Sequence, residues 1–183
     1  MSRIPSASQT VGPFFNFALT TNPNLGMLAR AGIRGRRIRL EFRVVDGEGT
    51  PAQGDCMLEL WQADSAGRYA QTPTDFSGFG RLETDQDGCC TFETVKPGRV
   101  AGADGRLHAP HINVIVFARG LLLHLHTRVY FADEPANLED PVLALVPEKR
   151  RATLVAQRKE GEPETWRFDI RLQGDGETVF FDV

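Results

Sequence analysis

Little in this chain serves cross-linking, charge-driven association or membrane insertion. The three cysteines, Cys56, Cys89 and Cys90, lack the C-x-x-C spacing of a zinc or dithiol site, and their odd number argues against a disulfide framework. Adjacent Cys89 and Cys90 point to opposite faces of a strand and read as small apolar fillers. Charge of neither sign dominates: 21 basic residues face 24 acidic ones, for a net charge of −3. No block of like charge is long enough to form a tail or a nucleic-acid footprint. No basic segment followed by an apolar one opens the chain, and no apolar run approaches a membrane span. The expectation is a soluble, cytoplasmic protein. No internal repeat is visible.

What is present suits one domain. The chain has 183 residues and is 41% apolar, enough to bury a sizeable core. Residues 1–20 read as an N-terminal arm, because Pro5 and Pro13 interrupt them while Phe14, Phe15 and Phe17 crowd together. Three such side chains need a surface to dock on, in the same domain or a neighbouring one. Residues 21–183 read as a single domain.

Within it, residues 35–45 alternate strictly, with Ile38, Leu40, Phe42 and Val44 against Arg37, Arg39, Glu41 and Arg43, which is the pattern of a half-buried strand. Residues 56–63, 80–84, 89–95, 109–120, 121–131, 166–172 and 178–183 read as further strands, separated by turn-forming stretches such as 46–51 and 85–88. Residues 132–147 carry three prolines and read as an irregular excursion. Residues 148–157 follow Pro147 with apolar Ala152, Val155 and Ala156 at helical spacing, which predicts one short helix. Many short strands with Gly-rich turns predict an all-β, antiparallel β-sandwich.

The organising stretch is residues 109–120, which Pro110 starts and Arg119-Gly120 closes. Alternation along a strand sets His111, Asn113 and Ile115 on one face and Ile112, Val114 and Val116 on the other. Two polar groups thus stand together at the strand's mouth. A His followed two residues later by a second donor is how a strand aims two ligands at one metal, but an amide seldom holds a transition metal.

Residues 58–69, Gly80-Arg81, residues 95–98 and residues 110–113 resemble, in order and spacing, the intradiol ring-cleaving dioxygenases. Residues 109–113, 117–120, 127–131 and 167–183 extend the resemblance to nearly the whole chain. It implies a β-sandwich and a centre in which two Tyr and two His hold one Fe(III), which activates a bound catecholate toward O2. Tyr69 matches the first Tyr position and His111 the first His. Val100 stands in the region of the second Tyr, and Asn113 replaces the second His. The other tyrosine, Tyr130, falls inside a strand and reads as core. Tyr69, Val100, His111 and Asn113 are therefore expected to be vestigial metal-site positions, with no catalytic residue and no iron in this chain.

The resemblance further implies a homologous beta subunit that carries the Fe(III), in an alpha-beta hetero-oligomer. On that reading Thr10, Gly12 and Pro13 of the arm, together with Arg119, complete the partner's pocket for 3,4-dihydroxybenzoate. A planar guanidinium suits its carboxylate. Arg128, on a strand, reads as structural. Two alternatives stand beside this one. The first is a stand-alone β-sandwich binding an aromatic or sugar ligand. The second is a Zn or Fe(II) site built from His108, His111, His124 and His126.

Overall fold

The computed structural model describes residues 17–52, 56–72 and 76–182. Ten strands lie along the described chain: β1 (Arg37–Val45), β2 (Cys56–Gln62), β3 (Phe79–Glu83), β4 (Cys89–Val95), β5 (Val100–Ala101), β6 (Leu107–His108), β7 (Ile112–Ala118), β8 (Leu125–Phe131), β9 (Val155–Lys159) and β10 (Glu162–Arg171). Strand β1 follows the sequence alternation, with Ile38, Leu40, Phe42 and Val44 buried and Arg37, Arg39 and Arg43 exposed. Phe42 lies edge-on to Phe92 and Phe168, at 5.8 and 5.9 Å between ring centroids. Trp166 and Phe131 extend the same interior, edge to face at 5.1 Å. These aromatic pairs add directional stabilisation to the burial of their area.

The topology departs from the expected antiparallel sandwich. Eight strands form one continuous sheet in the order β3-β2-β7-β8-β9-β10-β1-β4, and its end strands β3 and β4 approach each other, so the sheet is nearly closed. Two neighbouring pairs are parallel, β1 with β10 and β8 with β9. The second is short, holding only the Tyr130–Val155 and Phe131–Ala156 rungs. A parallel neighbour needs a long crossover, and the excursion from residue 132 to 154 provides it. Such pairing is non-local, and alternation within a strand carries no information about it.

Three local expectations also shift. The helix predicted over residues 148–157 is a single α-turn, Glu148–Arg151, continued as a 3-10 turn, Ala152–Leu154. Val155 and Ala156 already belong to β9, where Ala156 is fully buried, since short apolar runs fit either period. Residues 178–182 form no ladder strand: Phe181 makes one isolated bridge to His126. The irregular excursion contains two 3-10 turns, Pro135–Glu139 and Leu143–Leu145.

Arm residues 1–16, including Phe14 and Phe15, lie outside the described residues, while Phe17 is 72% exposed. Among the described residues no helix is long and apolar enough to cross a membrane.

Candidate functional site

One polar cluster forms where β7 begins. Its first member is delivered by a turn. The Asp64 carboxylate accepts from the backbone N–H groups of Ala66 and Arg68, at 2.8 and 2.9 Å, and from the Arg68 guanidinium. Gly67 in this turn has φ +77°, and a Cβ there would collide with the Arg99 carbonyl oxygen, so only glycine fits. The chain leaves the turn at Tyr69, whose ring stacks on Trp61 of β2 at 5.7 Å and 8°.

Register supplies the next two members. Asn113 of β7 lies directly opposite Arg128 of β8, and cross-strand partners on one face are close enough to bond. Arg128 donates its Nε–H to Asn113 Oδ1 at 3.0 Å, and the Asn113 amide N–H points to the Tyr69 hydroxyl at 3.5 Å. A second guanidinium nitrogen, Nη1, lies 3.2 Å from His108 Nδ1. Arginine has no acceptor, so in this contact His108 Nδ1 is the acceptor. His108 sits on the β5–β6 hairpin, opposite Val100.

Behind this layer the cluster is anchored by a carboxylate. Buried Asp140 accepts at Oδ1 from the Tyr130 hydroxyl (3.0 Å) and the N–H groups of Val142 (2.9 Å) and Leu143 (2.7 Å), and at Oδ2 from the Ala109 N–H (2.8 Å). Burial opposes its charge, but these donors outweigh burial and hold its pKa below the usual value. Burial, reinforced by the Asp140 charge, pushes the Tyr130 phenol well up. His111 Nδ1 is 2.8 Å from the Ala109 carbonyl oxygen, so Nδ1 carries the proton. Burial, assisted by the Arg128 charge, lowers the His111 pKa to about 4. Burial also raises the Tyr69 phenol, against the pull of Asn113 and Arg128.

The vestigial positions expected from sequence are thus gathered at one place: Tyr69 and Asn113 in contact, Val100 opposite His108, and His111 with its ring 5.8 Å from that of His108. The set does not fit a ferric ion. Val100 offers no donor, Asn113 offers an amide already bonded to a cation, and the guanidinium stands among the remaining lone pairs. The four histidines form two separate pairs, His108 with His111 and His124 with His126, the latter 4.7 Å apart. His126 pairs with Ile115, four positions along β7 from His111, roughly 13 Å at strand rise. Among the described residues no group of three or more His, Cys, Asp or Glu can hold a metal.

Arg119 lies elsewhere. It follows Ala118, the last residue of β7, and is exposed. Six residues of extended chain separate it from Asn113, about 20 Å. Thr10, Gly12 and Pro13 lie outside the described residues.

Arg128, Trp61 and Asp140 belong to the cluster although sequence reasoning assigned them no role in it, while His108 was named only as a ligand of the alternative metal site. Arg128 was legible in part, since a hairpin between residues 109–120 and 121–131 places it near Asn113 once the loop length is known. Nothing local marks Asp140, whose partners come from residues 109, 130, 142 and 143.

Comparison with known proteins follows from this geometry. Residues 12–174 match the family model described as dioxygenase. The chain is 46% identical to the protocatechuate 3,4-dioxygenase alpha chain of Burkholderia cepacia, over 96% of both chains. It is 34% identical to the protocatechuate 3,4-dioxygenase beta chain of the same organism, over 76% of this chain and 66% of that one. Among solved structures, 3-chlorocatechol 1,2-dioxygenase of Rhodococcus opacus 1CP is similar in fold, with a TM-score of 0.68 at 23% identity, covering 91% of this chain and 71% of that one.

Proposed function

The chain belongs to the intradiol dioxygenase family, and from that premise we propose that it is the non-catalytic alpha subunit of a protocatechuate 3,4-dioxygenase. It pairs with a homologous beta subunit in a cytoplasmic alpha-beta hetero-oligomer. Iron resides in the beta subunit, where 3,4-dihydroxybenzoate is cleaved with O2 between its hydroxyl-bearing carbons to 3-carboxy-cis,cis-muconate. The folded unit spans residues 21–183, and residues 1–20 form an arm that reaches across the interface.

One observation carries this reading. The residue suited to a substrate carboxylate, Arg119, stands at the opposite end of β7 from the cluster built on Tyr69, Asn113 and His111. Arg119 and the cluster therefore do not serve one pocket in this chain, and Arg119 stands on the exposed surface that faces a neighbouring subunit. With Thr10, Gly12 and Pro13 it completes the rim of the beta pocket, and its planar fork pairs with the carboxylate that distinguishes protocatechuate from catechol. Phe17, exposed in the isolated chain, is buried in the same assembly as an anchor of the arm.

The test is to purify the chain alone and with its beta partner and to measure iron and the visible phenolate-to-iron absorption. Iron and colour confined to the co-purified complex are expected. Stoichiometric iron in the chain alone refutes the reading, as does a stable monomer that binds an aromatic ligand unaided.

A further inference from the structure

The centre of the polar cluster is a side chain rather than a gap. Three polar groups converge on Arg128 from three different elements. The Asn113 amide oxygen accepts from Nε at 3.0 Å, His108 Nδ1 lies 3.2 Å from Nη1, and the Tyr130 hydroxyl interacts with the same guanidinium. Tyr69 and His111 stand around it, close enough that its charge acts on both. Phenol, amide and imidazole groups facing inward on one cation make the arrangement of a small coordination sphere. Here the cation is covalently part of β8, and the Asp140 carboxylate lies 4.0 Å from His108 Nδ1.

We infer that the Arg128 guanidinium is the resident cation of this cluster and bars metal ions from it, independently of the missing donors at Val100 and Asn113. The inference rests on the family reading for the choice of donors to restore. Its physical content is that two obstacles exist where sequence shows one. A guanidinium is charged at every accessible pH, it occupies the lone pairs a metal requires, and it repels any multivalent cation placed among them. Restoring a phenol at position 100 and an imidazole at position 113 removes the Asn113 contact but leaves the charge and its contacts with His108 and Tyr130 in place. Missing donors and the resident charge are therefore separate obstacles, and removing either alone leaves the other in place.

The experiment uses the full chain in four forms: unaltered, V100Y/N113H, V100Y/N113H/R128Q and V100Y/N113H/R128K, with folding checked by circular dichroism. Iron per chain is measured by elemental analysis, and phenolate coordination by visible absorption. The expected result is iron approaching one per chain only with R128Q, and at least tenfold less in V100Y/N113H and V100Y/N113H/R128K, because lysine keeps the charge. Equal iron in V100Y/N113H and V100Y/N113H/R128Q overturns the inference, as does a folded V100Y/N113H/R128Q without iron. Iron in the unaltered chain instead refutes the subunit reading itself. A measurement on the unaltered chain guards against misfolded variants: equimolar Zn(II) should leave the imidazole 15N resonances of His108 and His111 unmoved, and joint displacement of both overturns the inference.

Discussion

Arg128 and Asn113 face each other across the β7–β8 pair, and the guanidinium Nε–H is bonded to the amide oxygen at 3.0 Å. That single cross-strand contact ties the Asn113 amide to a fixed positive charge. The same charge also bears on Tyr69 and His111, where burial is the larger influence.

Arg119→Ala is expected to lower kcat/KM for protocatechuate in the co-expressed complex by roughly 1.5–3 kcal/mol, the range of a charge-assisted hydrogen bond. Iron content and complex yield should not change, because Arg119 is exposed and outside the core. Steady-state kinetics beside elemental analysis tests this, and an unchanged specificity constant removes the role assigned to Arg119.

Stability should fall on mild acidification through His111. Its folded pKa of about 4 lies below the ordinary 6.5, so between those values the unfolded chain binds the proton and the folded one does not. Stability is then complete above 6.5 and is lost as pH falls toward 4, by about 3 kcal/mol in all. Urea unfolding across this window should show the slope, and H111Q should flatten it. A slope unaltered in H111Q contradicts the assignment.

Asp140→Ala should cost about 3 kcal/mol or more. It strands the Tyr130 hydroxyl and the N–H groups of Ala109, Val142 and Leu143, and an unpaired buried donor costs roughly 1–3 kcal/mol. Chemical denaturation provides the figure. A loss below about 1 kcal/mol would mean that water or a shifted backbone replaces the carboxylate.

Gly67→Ala combines a left-handed backbone with the Arg99 carbonyl collision. The backbone contribution alone is about 1–2 kcal/mol, and displacement of the turn should also disturb the Trp61–Tyr69 stack. Thermal unfolding together with Trp fluorescence reads both. An unchanged melting temperature argues that the turn can reshape at no cost.

The strands that sequence reasoning placed best are those whose alternation is decided within the strand. Residues 37–45 are the clearest, because each buried side chain from Ile38 to Phe42 is followed by a polar one. β9 escaped, since Val155 and Ala156 satisfy a helical period as well as a strand, and only their pairing with Tyr130 and Phe131 separates the two. The expected strand over residues 178–183 fails for a different reason: its apolar run suits a strand, yet among the described residues only Phe181 finds a bridge partner.

Sequence by itself determined the family, the β class, the absence of a phenol at position 100 and of an imidazole at position 113, and the Arg119 hairpin, because each depends on residue type and local spacing. Tertiary structure alone decided that β1 and β10 run parallel, that the four histidines split into two pairs, that Asp140 anchors the cluster from the crossover, and that Arg128 fills its centre. Those outcomes depend on contacts between residues far apart in the chain, whose register is set by sheet closure and the long excursion rather than by any local pattern.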